Sequence, residues 1–470
     1  MLLSALRVLL ILIEVVVLFN ALIVVHELGH FLAARWRGLY IEGFGVWFGK
    51  PLWKKTINGV QYSLGSIPFG GFVKLPQLAP MDIIEGEADV DRAKLPPISA
   101  LDKIIVAIAG PVFSFLLALF FATVVWVVGH PVNESDMTTT IGYIEQASPS
   151  AKAGLLPGDR ILEVDGQRVT RFSGMNNSVV WNVVRSEGET IPFKVDRAGQ
   201  QLTFDVTPYK SETRGWQRKS TRQVLIYPAQ TPIIEKVQPN TPAAAAGLQP
   251  RDVIRGYNGT PIYNPAALSD FIETHNGAPV TLQIERSGRV SDVTLTPRIA
   301  PGEKVPRIGI AWDTTGKMSI AHPSPIEQVY NSFTSTVNTI AAVASPKSDV
   351  KLQHLSGPVG IGHVYYMLFK SERGWQLALW FSVILNVNLA ILNMLPIPVL
   401  DGGHIVLAVV EGIRRKPVNI RFLEFVQTGC AVLIIGYMVY VSFFDIGDLF
   451  GHKQDKEEGS RPAPKSSPAK

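Results

Sequence analysis

The stretch LIVVHELGHFLAA, Leu22 to Ala34, sets His26, Glu27 and His30 in a His-Glu-x-x-His pattern. On a helix, residues four apart lie on nearly one face, so the two imidazoles can share one zinc ion. Glu27 projects beside them, where it can take a proton from a water held by the metal. A short pattern of this kind is often only a satisfied histidine pair. Here, however, three ionisable residues fall within five positions of an apolar run, where such groups are costly to bury and are functional candidates by default.

A catalytic zinc needs a third protein ligand and one open position. Nothing suitable follows His30 closely, because Glu42 lies past the end of the apolar run. The better candidate is distant, in LNMLPIPVLDGGH, Leu392 to His404. Pro396 and Pro398 must break a helix there. A broken helix at membrane depth is tolerated only where protein or a water-filled cavity covers it. Asp401 at that break is the candidate third ligand, and Gly402 and Gly403 would let the backbone approach closely. His404 is its rival, and the carboxylate is preferred.

The elements that must hold these residues are apolar. Of the 470 residues, 47% are apolar and 18% charged. With a positive mean hydropathy, that balance fits several membrane spans plus a soluble portion. A span takes about 20 mostly apolar residues, and four stretches qualify: one ending at residue 34, then 104–128, 376–402 and 422–446. The first is too long for a signal-peptide core and is expected to be retained. Cys430 is the single cysteine, which excludes a disulfide within the chain. The net charge of +5 comes with no basic-aromatic cluster, so no nucleic-acid partner is expected. Lys and Arg crowd the segments 35–103 and 403–421, which places both on the cytoplasmic side. The segment between spans two and three then lies on the opposite side, and the polar tail 447–470 is expected to be disordered.

That long segment holds an internal repeat. SPSAKAGLLPGDRILEVDGQRV from Ser148 and TPAAAAGLQPRDVIRGYNGTPI from Thr241 align without gaps. Each reads as a short helix, a Gly-Leu stop, a Pro-x-Asp turn into a buried strand, and a second turn at Asp165-Gly166 or Asn258-Gly259. The pattern resembles the bacterial type of PDZ domain, and the expected units are 129–216 and 217–305, followed by a linker region 306–375. Such a groove would take an extended peptide ligand as an added strand.

HELGH in the first span, AGP at Ala109 to Pro111, and N-x-x-P-x-P-x-L-D-G from Asn393 to Gly402 together resemble the site-2 intramembrane metalloproteases. The resemblance implies one Zn2+ per chain held by His26, His30 and Asp401, with Glu27 as general base. It implies that Asn388 and Asn393 help to hold the substrate backbone. Many relatives carry Asn three residues after the AGP proline; here the residue is Ser114, and no role is assigned to it. The cytoplasmic stretches from Gly43 and Val60, joined by a turn at Asn58-Gly59, are expected to form a β-hairpin that re-enters the membrane. Its residues Gly70, Gly71 and Phe72 would bind an unwound substrate through an open sheet edge.

The fold expected is thus a polytopic α-helical membrane protein with four transmembrane helices, a membrane-associated β-hairpin and two extracytoplasmic α+β PDZ domains. The implied activity is endoproteolysis of single-pass transmembrane proteins in the lipid bilayer of the bacterial inner membrane. Its substrates would be an anti-sigma factor already trimmed outside the membrane, and leftover signal peptides. The PDZ pair would exclude bulky substrates. A PDZ-bearing membrane scaffold with a dead metal site, or a metal-ion carrier, are the alternatives. Glu14, about three turns before His26, is not required by any of this chemistry.

Overall fold

The computed structural model describes residues 2–78, 95–213, 217–300, 302–313, 316–416 and 418–457. Among them, four helices are long and apolar enough to cross a membrane. The first is α1, Leu2–Arg37. A four-stranded sheet follows, made of β1 Gly43–Phe48, β2 Trp53–Ile57, β3 Val60–Leu64 and β4 Ile67–Lys74. The second long helix is α2, Ala100–Val128. It begins before the expected residue 104 because Ser99 closes a capping box: its hydroxyl accepts from the Asp102 amide, and the Asp102 carboxylate accepts from the Ser99 amide.

The sheet is larger than the expected hairpin. Its order is β2-β3-β1-β4, with β1 parallel to β3 and antiparallel to β4. Asn58 and Gly59, both at positive φ, turn β2 into β3. Each of the two long stretches read as one strand is split in two. At Gly65 the chain passes so close to the Phe48 carbonyl, 2.3 Å from an added Cβ, that only glycine fits the break. The outcome leaves β4 as a sheet edge laid along α1, tied by Asn20 Nδ2 donating to the Pro68 carbonyl (3.1 Å) and by Phe19 stacked on Phe69.

Past α2 come β5 His130–Asn133 and α3 Glu134–Met137. The first repeat unit comprises β6 Ile141–Ile144, α4 Pro149–Ala153, β7 Arg160–Val164, β8 Gln167–Arg168, α5 Val179–Arg185, β9 Ile191–Arg197, β10 Gln200–Val206 and β11 Ile226–Pro228. The second comprises β12 Ile234–Val237, α6 Pro242–Ala245, β13 Val253–Tyr257, β14 Thr260–Pro261, α7 Pro265–Thr274, β15 Val280–Arg286, β16 Arg289–Leu295 and β17 Ile310–Trp312. The main sheets share one topology, β10-β9-β7-β8 and β16-β15-β13-β14. Each buries its own apolar core, around Ile161 and Phe193 in the first and Ile254 and Leu282 in the second.

The unit boundaries fall later than 216 and 305, because β11 pairs with β6 and β17 pairs with β12. Each unit therefore closes on a strand that follows the repeat. The expected linker 306–375 is likewise structured. β18, Met318–Ala321, pairs with β5, and helices α8 Pro325–Ala344 and α9 Pro358–Lys370 follow.

The third long helix, α10, runs Gly374–Asn393 and stops well before residue 402. The chain then turns through the prolines, and Asp401 opens a new helix, α11, Asp401–Arg414, across what was expected to be a loop. The prolines break the helix as read, but helix geometry resumes immediately after them, so Asp401 sits at an N-terminus and not at the end of a span. The last helix, α12, runs Ile420–Glu457 and continues past the expected start of the tail at 447. Asp445 anchors this end: its carboxylate accepts from the Gly357 and Gly360 amides and pairs with Arg218 at 2.6 Å. The rest of the expected tail, 458–470, lies outside the described residues.

Candidate metal centre

Three elements meet at the HELGH segment. α1 supplies His26, Glu27 and His30, α11 supplies Asp401, and α2 forms the wall behind them. Two glycines allow the close approach. A Cβ at Gly29 would stand 2.4 Å from the Ala109 carbonyl oxygen, and one at Gly110 would stand 2.2 Å from His30 Nε2. On the other side, a Cβ at Gly402 would meet the Met394 carbonyl at 2.3 Å and one at Gly403 the Ile397 carbonyl at 2.1 Å. The Gly402-Gly403 pair thus lets α11 fold tightly onto the proline turn.

His26 Nε2 lies 3.2 Å from His30 Nε2 and 3.2 Å from Asp401 Oδ2, and His30 Nε2 lies 3.3 Å from Asp401 Oδ1. Ligand atoms about 2.0–2.1 Å from a tetrahedral zinc stand about 3.3 Å apart. The two ring nitrogens thus stand at the spacing that such an ion requires, and each has one of the two Asp401 oxygens at that same distance. The three residues form the only group of three or more such side chains at ligand spacing among the described residues. His404 is not in it.

The chemistry of the donors agrees with the spacing. His30 Nδ1 donates to the Val106 carbonyl at 2.8 Å, which leaves the lone pair on Nε2 facing inward. His26 Nδ1 lies 3.0 Å from the Ser114 hydroxyl. Asp401 Oδ2 is buried and makes no hydrogen bond among the described residues, despite its contact with His26. Two imidazole nitrogens and a carboxylate converging on one buried point suit a cation.

Glu27 sits beside this triangle and under the sheet edge. A Cβ at Gly71 would be 3.4 Å from Glu27 Cγ, and the Val73 backbone is its hydrogen-bond donor. Gly70 has φ +86°, and a Cβ there would strike the Phe48 ring at 2.0 Å, where the β1–β4 register slips. Phe72 is stacked on the same ring. Of the two asparagines, Asn393 reaches the centre, its Nδ2 3.3 Å from His26 Nε2. Asn388 points elsewhere, accepting a hydrogen bond from Thr336 on α8.

The wall residues Val106, Gly110 and Ser114 were not among the expected site residues. Their four-residue spacing along one helix face was the available signal, together with a glycine inside a helix, which costs roughly 0.5–1 kcal/mol against alanine and so asks for a packing reason.

The family model for Peptidase family M50 matches residues 14–436. The "Regulator of sigma-E protease RseP" of Escherichia coli (strain K12) is 29% identical over 465 residues, covering 92% of this chain and 98% of the relative. Proteins named "Putative zinc metalloprotease" from Xylella fastidiosa (strain Temecula1) and Vibrio cholerae serotype O1 are each 27% identical, again over 92% of this chain and 97% and 98% of theirs. With the matched model spanning most of its length, the chain belongs to peptidase family M50 and is a zinc metalloprotease.

Proposed function

We propose that the chain is an intramembrane endopeptidase that cuts transmembrane segments of single-pass proteins, with zinc held by His26, His30 and Asp401. The observation that carries this reading is the triangle of Nε2, Nε2 and carboxylate atoms at 3.2–3.3 Å, built from helices α1 and α11. α1 is itself one of the four apolar helices. When bound, zinc supplies a Lewis acid and brings the pKa of a water towards about 7.

The chain's own residues do the rest. Glu27 accepts the proton of the attacking water and returns it to the leaving amine. Asn393, beside His26, is positioned to donate to a substrate carbonyl. β4, an open edge next to Glu27, would hold the unwound substrate as an added strand and satisfy backbone groups that lipid cannot. Asn388 accepts from Thr336 through Oδ1, which ties α8 to α10, and its amide is proposed to help Asn393 hold the substrate backbone.

The tandem units are proposed to be PDZ modules standing on the side opposite the cytoplasmic sheet. There they would exclude substrates with bulky outer domains, and a trimmed anti-sigma factor would be the natural substrate class. The test is Glu27→Gln in the full chain, with zinc content and cleavage of a transmembrane substrate measured together. Zinc should be retained and cleavage should fall about 10²–10⁴-fold. Cleavage at the parental rate would remove Glu27 from the mechanism.

A further inference from the structure

The two imidazoles are held by unlike partners. His30 Nδ1 faces a backbone carbonyl, that of Val106. A carbonyl can only accept, so His30 carries its proton on Nδ1 whatever else happens at the centre. His26 Nδ1 faces the hydroxyl of Ser114, 3.0 Å away, and a hydroxyl can either donate or accept. Ser114 is fully buried, so His26 Nδ1 has no water to fall back on.

From this contrast we propose that Ser114 is a positioning residue that selects the metal-binding tautomer of His26. This rests on the reading that His26, His30 and Asp401 hold zinc. With a cation at Nε2, His26 must carry its proton on Nδ1, and the Ser114 oxygen accepts it. With no cation, the Ser114 hydroxyl can donate to Nδ1, and an Nε2 proton can then face Asp401 Oδ2 at 3.2 Å. The hydroxyl thus satisfies the ring in both states. An alanine would satisfy neither arrangement at Nδ1, and it would leave a buried N–H unpaired in the metal-binding tautomer.

The experiment uses the full chain in detergent. The parent, Ser114→Ala, Ser114→Thr and Asp401→Ala are titrated with a zinc chelator, and the cobalt-substituted absorption spectrum is recorded for each. Unfolding of the metal-free proteins is followed alongside. Ser114→Ala should lose about 10–100-fold in zinc affinity, with an altered cobalt spectrum and a metal-free form that still unfolds cooperatively. Ser114→Thr, which keeps the hydroxyl, should restore the affinity. Parental zinc affinity in Ser114→Ala overturns the proposal, as does an equal loss in Ser114→Thr. Asp401→Ala separates this from the underlying reading: parental zinc there overturns the ligand assignment itself.

Discussion

Gly110 lies so close to His30 that a methyl group on its α-carbon would stand 2.2 Å from Nε2 and 2.8 Å from His26 Nε2. The wall of the centre is therefore a bare helix backbone. Alanine is the better helix former by up to about 1 kcal/mol, so Gly110→Ala should not weaken α2 as a helix. It should instead push both rings off the triangle. The expected result is full-length protein with unchanged helical circular dichroism and zinc content near zero by elemental analysis. Parental zinc content in this variant would show that the two rings can retreat.

β5 and β18 pair antiparallel, with Asn133 opposite Met318. The whole insertion between them, including both repeat units, is thus closed at its base by a two-stranded ladder. Replacing 134–317 with a two-residue Asn-Gly turn, the favoured hairpin connection, should leave the metal centre intact, while Asp445 loses Arg218 and keeps its two amide partners. If the units act as a size filter, the shortened protein should cleave substrates that retain a folded outer domain, which the parent rejects. Rejection by both proteins would end the filter proposal.

The ease of reading this chain differed between its parts. HELGH, AGP and the Leu-Asp-Gly segment announced themselves because an ion fixes residue type, and because helical spacing of four turns sequence into geometry. The repeat units were legible for a similar reason, since Gly-Leu stops and Asp-Gly turns have narrow conformational requirements. What could not be read was pairing over distance. That β11 returns to β6, or β17 to β12, depends on contacts that no local pattern encodes. The same holds for α11. Two prolines signal a break, yet only packing of Gly402 and Gly403 on the preceding carbonyls lets a helix restart at once. The contact of Asn388 with Thr336 on α8 is of the same kind, because the two residues stand 52 positions apart.

In the second unit, Arg286 donates to both carboxylate oxygens of Asp252 at 2.7 Å and to the Gly247 carbonyl, just as Arg197 does with Asp159 and Gly154 in the first. Burial alone would raise the pKa of Asp252, but the Arg286 bonds outweigh it and hold the carboxyl below its ordinary value. A carboxylate with a lowered folded pKa contributes stability above its unfolded pKa, about 3.9, and that contribution is lost as pH falls through the folded value. Exchange of the β15 amides, corrected for its intrinsic pH dependence, should therefore quicken below about pH 4. Arg286→Met should destabilise the unit at neutral pH, because it removes both guanidinium bonds from the Asp252 carboxylate, and should flatten the acid dependence. A unit equally stable at pH 3 and pH 7 would contradict the sign.

β4 is the open edge of its sheet, and Gly71 brings its backbone beside Glu27. If a substrate strand adds there, outward amides of β4 take part in an added ladder and should be protected. The Glu27→Gln chain, which should bind substrate without cutting it, makes this measurable by hydrogen exchange with and without a transmembrane substrate. Exchange should slow along β4 and stay unchanged along β2, the opposite edge, which serves as the internal control. Slowing on both edges would mean general rigidification, and slowing on neither would place the substrate away from the sheet. Only a difference confined to β4 supports a strand held between the sheet and the metal centre, where the bond to be cut would lie within reach of Glu27.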